Sequence, residues 1–249
     1  MDLYEAIIKR KTVRKFEDRV LPKEVIGDIV AYADTVERLY DDIDINIEVV
    51  AGSKKAKAPH YITVYSEEKE GYGENAGYVM QYMVMYLVSM GLGCCYQGSS
   101  GYAAKRDAKG RKKVIVVAFG YADEECFRES IEASRHTQQD ICTFKDTPNV
   151  NIDKLIEAVR MAPSSFNSQP WRMLVYKDSL HLFMKKARLP VTAHYNRINI
   201  GIARANIDMT ADSQWIDIVS KQIPSFKDKK YNNLEYVISI KNVIDNNLM

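Results

Sequence analysis

The stretch MAPSSFNSQPWR (161–172) sets the reading of this sequence. Pro163, Ser164, Ser165, Asn167, Ser168, Gln169 and Pro170 place seven small, polar or φ-restricted residues in a window of eight. An apolar, helix-patterned run, LIEAVRMA (155–162), precedes it and a strand-patterned run, WRMLVYK (171–177), follows. Proline and the residue before it disfavour continued α geometry, so a helix stops here. The loop then presents hydroxyls, amides and backbone N–H groups. By composition alone it is a polar helix-to-strand connection, and its interest depends on whether the chain supplies a partner.

The most distinctive candidate is KRKTVRKF (9–16), with five basic residues in its first seven positions. Such a run is ordinarily a solvated face. This one follows a short amphipathic helix (2–9) and precedes a turn, so it can be a fixed loop. Arg10 and Arg14, with Thr12 between them, have the forks and hydroxyl that clamp a phosphate.

Outward from these two stretches the pattern is mixed α and β. Helices are predicted over 22–39, 74–90, 152–161 and 196–214, the second apolar nearly all round and so buried. Strands are predicted over 42–52, 60–66, 112–122, 171–177 and 234–240. GLG (91–93) ends the buried helix, CCYQGSSGY (94–102) reads as a loop or short strand, and SKKAKA (53–58) as a solvated loop. Residues 125–144 read as a charged, irregular arm. The pattern restarts near 151, with helix 24–33 answering 154–163, strand 58–68 answering 168–178 through shared Pro, Val and Tyr, helix 77–93 answering 201–214, and strand 114–120 answering 236–240. Two unrelated α/β halves are the alternative to a duplication.

Composition limits the function. The chain has 249 residues, 46% hydrophobic and 27% charged, enough for a sizeable core. A net charge of +2 argues against a general nucleic-acid binder. No apolar run approaches the roughly 20 residues of a membrane span. Charges within the first turns argue against a signal peptide. Cys94, Cys95, Cys126 and Cys142 show no metal-binding spacing, and a reducing, cytoplasmic compartment is expected. The four histidines, His60, His136, His181 and His194, are scattered; structural roles are expected, with His136 of interest because it adjoins Arg135. Cys94 and Cys95 read as small buried hydrophobes.

KRKTVRKF and APSSFNSQPW together resemble the nitroreductase family of FMN-dependent oxidoreductases. GLGCCYQG (91–98) resembles the family's glycine-bearing stretch, and ASRH (133–136) its basic tail motif. The resemblance implies an α+β, nitroreductase-like fold of antiparallel-containing sheets packed between helices. In the family one subunit carries both loops close together, and FMN lies at a homodimer interface. Here they are separated between a first half, 1–147, and a second, 148–249. The layout resembles the nitroreductase subgroup with tandem, divergent halves, so one chain is expected to act as a fused pseudo-dimer, with a homodimer as the alternative.

The resemblance further implies that Arg10, Lys11, Thr12 and Arg14 hold the FMN phosphate and ribityl chain, with Arg135 as a further phosphate partner. Gln97 and Gly98 would lie beside the flavin ring, and Pro163, Ser164, Ser165 and Asn167 would reach it from the second half. The implied activity is hydride transfer from NAD(P)H through FMN to a nitroaromatic, quinone or enone, with no side chain named as an obligate catalytic acid and no metal. The alternative is a non-catalytic FMN store or sensor on the same fold. Tyr72, Tyr78, Tyr82 and Tyr195 are candidates to line the acceptor pocket or simply to pack.

Overall fold

The computed structural model describes residues 1–52, 58–98, 103–211 and 232–241. SKKAKA, except its last residue, and the Ser99–Tyr102 end of CCYQGSSGY lie outside them, as do residues 212–214 of the expected last helix. The chain divides into two compact units, Met1–Ala133 and Ser134–Met249. The division falls before the 147/148 boundary of the sequence pattern, because residues 138–144 pack with the second unit.

The first unit begins with α1 (Leu3–Lys9), whose Asp2 side chain accepts the Glu5 N–H and satisfies an otherwise orphaned donor. Helix α2 (Lys23–Thr35) starts after Pro22 but stops short of the expected residue 39. Val36 turns extended and is buried, and the chain then docks on Asn75. That side chain accepts the Leu39 N–H and donates to Tyr40 O. Strands β1 (Ile45–Ala51) and β2 (His60–Ser66) form a hairpin, followed by α3 (Tyr72–Ser89), β3 (Gly93–Gln97) and β4 (Lys112–Gly120). All pairs are antiparallel, in the order β1-β2-β4-β3. Every residue of β2 is buried, and α3 is buried nearly all round, as its pattern predicts.

In the second unit, α4 (Gln138–Ile141) and β5 (Cys142–Phe144) precede α5 (Asp153–Met161), β6 (Trp171–Val175), β7 (Ser179–Lys185), α6 (Pro190–Thr210) and β8 (Leu234–Lys241). The sheet runs β5-β6-β7-β8, with only β5/β6 parallel among the described strands. Three expectations change. The supposed irregular arm closes with α4 and β5, because Ile141 and Cys142 are buried. Strand β7 goes unpredicted, although Leu180, Leu182 and Met184 alternate inward. Helix α6 starts at Pro190, ahead of the expected 196, with proline in its first turn.

Both units contain a helix–strand–strand–helix order that closes on a strand paired with the second strand of the hairpin: α2-β1-β2-α3, then β3 and the closing β4 in the first, and α5-β6-β7-α6 with the closing β8 in the second, where β3 has no counterpart among the described strands. In each, the closing strand carries one extra residue opposite its partner. Val114 is skipped between Lys113 and Ile115, and Val237 between Tyr236 and Ile238. This order sets β2 against β7. The Pro, Val and Tyr spacing had set it against β6, the first strand of its hairpin. No helix among the described residues is long and apolar enough to cross a membrane.

Candidate functional site

In the first unit the basic run is laid between β3 and residues 121–128. Val13 N–H donates to Cys94 O at 3.0 Å, and Thr12 bridges Cys94 in parallel. On the other side Lys11 N–H donates to Cys126 O and Arg128 N–H to Lys9 O. Glu124 accepts the backbone N–H of both Arg14 and Lys15, which holds its carboxyl below the usual range. The close approach to β3 depends on Gly93, where a Cβ would stand 2.8 Å from Val13 Cγ1. The GLG motif and the basic loop are thus one packing unit.

The loop's cations have different fates. Lys9 pairs with Glu5 at 2.7 Å and Lys11 with Glu125 at 2.8 Å, both at partly exposed positions where such pairs contribute little. No described carboxylate pairs with the Arg10 or Arg14 side chain. Arg14 is exposed, whereas Arg10 is only 3% exposed. Arg10 donates to Thr12 Oγ1 at 3.3 Å and lies near the Cys94 thiol. Burial pushes that thiol up to about 11 against the pull of Arg10, and burial raises Cys95 as well. Both remain protonated at neutral pH. They are free and point to opposite faces of β3, as small core residues. Tyr96, raised well above its usual range by burial, donates to Gln81 Oε1 at 2.6 Å. Arg10 is therefore a buried guanidinium with no carboxylate partner among the described residues, an arrangement that is costly without an anion. Gln97 ends β3 half-buried, and Gly98 follows it exposed. A Cβ on Gly98 would meet nothing within 4 Å, so packing among the described residues does not require a glycine there.

In the second unit, α5 ends at Met161 and the polar loop makes a tight turn over Ser165–Asn167. Phe166, Asn167 and Gln169 all adopt positive φ, at 56°, 52° and 44°. Each such non-glycine residue costs on the order of 1–3 kcal/mol and persists only where its surroundings hold it. Here three elements do so. Asn199 of α6, 1% exposed, accepts the Ser165 N–H at 3.0 Å and reaches Ser168 Oγ at 3.4 Å. Within the loop, Ser164 Oγ accepts the Gln169 N–H at 2.9 Å. From residues 134–136, Ser134 O accepts Asn167 Nδ2, Arg135 donates to Asn167 Oδ1 and Met161 O, and His136 N–H donates to Gln169 Oε1 at 2.7 Å. The Ser165 hydroxyl makes no hydrogen bond among the described residues, and the buried Trp171 indole N–H has no partner among them. Phe166 is 92% exposed.

The sequence profile described as "Putative TM nitroreductase" matches residues 2–211. The chain belongs to this nitroreductase family. A solved "putative nitroreductase" of Thermotoga maritima MSB8 covers 84% of this chain and 83% of its own, at 21% identity and a TM-score of 0.62, which establishes the common fold. A nitroreductase family protein of Clostridium difficile 630 covers 59% of this chain and all (100%) of its own, at 16% identity and a TM-score of 0.47. A nitroreductase with bound FMN from Bacteroides fragilis NCTC 9343 covers 51% and 93%, at 15% identity and a TM-score of 0.41. No protein of curated function matches the sequence.

In this nitroreductase-family chain the expected site residues form two groups. Arg10, Lys11, Thr12 and Arg14 are gathered against β3, the strand that leads to Gln97 and Gly98. Arg135 belongs to the second unit and is tied directly to Asn167, beside Pro163, Ser164 and Ser165. Sequence reasoning missed Asn199 and Glu124, and named Gln169 only as a polar residue of the loop, without its bonds to His136 N–H and Ser164 Oγ. Asn199 left a faint signal, since it is polar within the apolar run INIGIARANI of α6. The histidines that can be assigned are structural. His60 Nε2 accepts the Leu21 N–H at 2.9 Å and His181 meets Ser239 Oγ at 2.7 Å, and burial lowers both pKa values.

Proposed function

We propose that this nitroreductase-family protein is an FMN-dependent oxidoreductase, drawing on NAD(P)H and reducing a nitroaromatic, quinone or enone. The carrying observation is Arg10, a buried guanidinium with no carboxylate partner among the described residues, in the family's basic loop. Arg10 and Arg14 suit a phosphate dianion, which needs charge-assisted donors. Thr12 adds a hydroxyl. Lys11 stands in the same loop but is engaged by Glu125, so its share is smaller.

Gln97 and Gly98 would lie beside the flavin ring, where glycine permits a close backbone approach. Pro163, Ser164, Ser165 and Asn167 would complete the grip, Ser165 through its hydroxyl and Asn167 oriented by Arg135. When bound, FMN supplies the hydride acceptance and donation; the protein binds, orients and limits water at the ring. No side chain is assigned as a proton donor. One chain would supply both groups of residues, as a monomeric pseudo-dimer. The free thiols suit a reducing cytoplasm.

Titration with FMN, followed by anaerobic addition of NADH or NADPH, tests the reading. Tight binding and bleaching of the flavin absorbance are expected. Each charge-assisted bond is worth about 1.5–3 kcal/mol, so Arg10→Ala with Arg14→Ala should weaken FMN by at least about 100-fold. Protein that takes up no FMN refutes the reading. FMN that binds but is not bleached by either nucleotide favours a flavin store or sensor. Affinity that falls on dilution of the protein points to a homodimeric site.

A further inference from the structure

Phe166 is the residue that the second unit's loop is built to present. Its backbone lies at φ 56° and ψ 21°, which a bulky side chain rarely adopts. Both of its chain neighbours are pinned. Ser165 N–H is held by Asn199, and the Asn167 amide is held at both ends, by Arg135 and by Ser134 O. Phe166, between these anchors, is nonetheless 92% exposed. It stands nearly perpendicular to Tyr195, with centroids 6.1 Å apart and planes at 86°. Tyr195 in turn stands beside His194, 5.7 Å away. With Phe166 92% exposed and Tyr195 the ring set beside it, at least one ring face is open for stacking, and the face of an aromatic ring is its electron-rich side.

We propose that Phe166, backed by Tyr195, is a stacking platform for planar, electron-poor aromatic acceptors such as quinones and nitroarenes. The acceptor class rests on the oxidoreductase reading; the platform itself rests on the geometry of this loop. Stacking suits planar π-systems and gives nothing to a compact acceptor such as ferricyanide. Continuity supports the assignment, because the same turn carries Ser165 and Asn167, the residues proposed to face the cofactor.

The test has a binding arm and a kinetic arm. Equilibrium dialysis with 1,4-naphthoquinone compares the purified protein with Phe166→Ala and Phe166→Gly. About a tenfold rise in dissociation constant is expected in both variants. Phe166→Gly also removes the positive-φ constraint, so a matching loss assigns the effect to the ring. Phe166→Trp should keep the affinity, and its added indole emission should be quenched by the quinone. In turnover, expressed per bound flavin, the ratio of kcat/KM for naphthoquinone to that for ferricyanide should fall about tenfold in Phe166→Ala.

Equal quinone affinity in wild type and Phe166→Ala overturns the proposal. So does an equal fall for quinone and ferricyanide. A change of oligomeric state in Phe166→Ala with quinone affinity intact also overturns it, assigning the ring to an interface between copies. Phe166-dependent quinone binding in protein that takes up no FMN would support the platform and refute the oxidoreductase reading.

Discussion

Gly93→Ala tests whether the glycine of β3 exists to let the basic loop dock. The added Cβ would stand 2.8 Å from Val13 Cγ1 and 2.9 Å from Val13 Cβ and Cγ2, closer than carbon atoms tolerate. Val13 is fully buried and cannot swing away. Overpacking of this kind costs about 1–3 kcal/mol. The opposing effect is smaller and of opposite sign: alanine restricts the unfolded chain and, in open space, stabilises by about 0.4–1 kcal/mol. A net loss of about 1–2 kcal/mol is therefore expected. Val13→Ala removes two of the three crowding atoms and, alone, costs about 2 kcal/mol from two lost methyl groups and a residual cavity. Combined with Gly93→Ala it should relieve the part of the clash made by the two methyl groups, leaving the 2.9 Å approach to the Cβ of residue 13 to be met by a small backbone shift, and giving a coupling of about 1 kcal/mol between the sites. Urea unfolding followed by tyrosine fluorescence, with hydrogen exchange of the Val13 amide that donates to Cys94 O, measures the cycle. Stabilisation by Gly93→Ala, or additivity within about 0.3 kcal/mol, would refute the packing argument.

Asn199→Ala leaves the Ser165 N–H without its acceptor, at about 1–3 kcal/mol for a part-buried donor. Faster exchange of the Ser165 amide and weaker FMN binding should appear together, and Asn199→Asp, which keeps an acceptor oxygen, should restore much of both. Glu124 governs the acid response of the basic loop. Its carboxyl is depressed by the Arg14 and Lys15 N–H bonds, so their contribution is complete above the ordinary carboxylate pKa and disappears as pH falls through the depressed value. The Arg14 and Lys15 amide resonances should move together on acid titration, and Glu124→Gln should abolish that step; a step retained in this variant would assign it to another group.

The parts of the fold that were legible in the sequence are those whose periodicity is long and locally determined. Helix α3 shows apolar residues on nearly every face, and β2 is uninterrupted in its β-rich character; both lie where expected. Strand β5 is three residues long, too short to establish a period, and exists because β6 pairs with it in parallel. Strand β7 does alternate, but Lys185, Lys186 and Arg188 crowd its end and mask the pattern. The end of α2 depends on Asn75, a docking point that local propensity cannot anticipate.

The same division separates the motif residues from the residues that hold them. Five cations in a run of seven look equivalent as sequence. The fold distinguishes them: Lys9 falls four residues from Glu5 on one helix, and Lys11 meets Glu125 from a distant segment. Arg10, one position from each, turns inward against Cys94, where no described carboxylate reaches it. The polar loop repeats the pattern. Its serines and asparagine identify it, yet its shape depends on Asn199, 34 residues from Ser165, and on Arg135, 32 residues from Asn167. These partners hold three non-glycine residues at positive φ, a conformation the loop's own sequence does not favour. The loop is therefore a held structure and more than a helix-to-strand connection, and strain held in this way is what the ligand-facing role proposed for it would use.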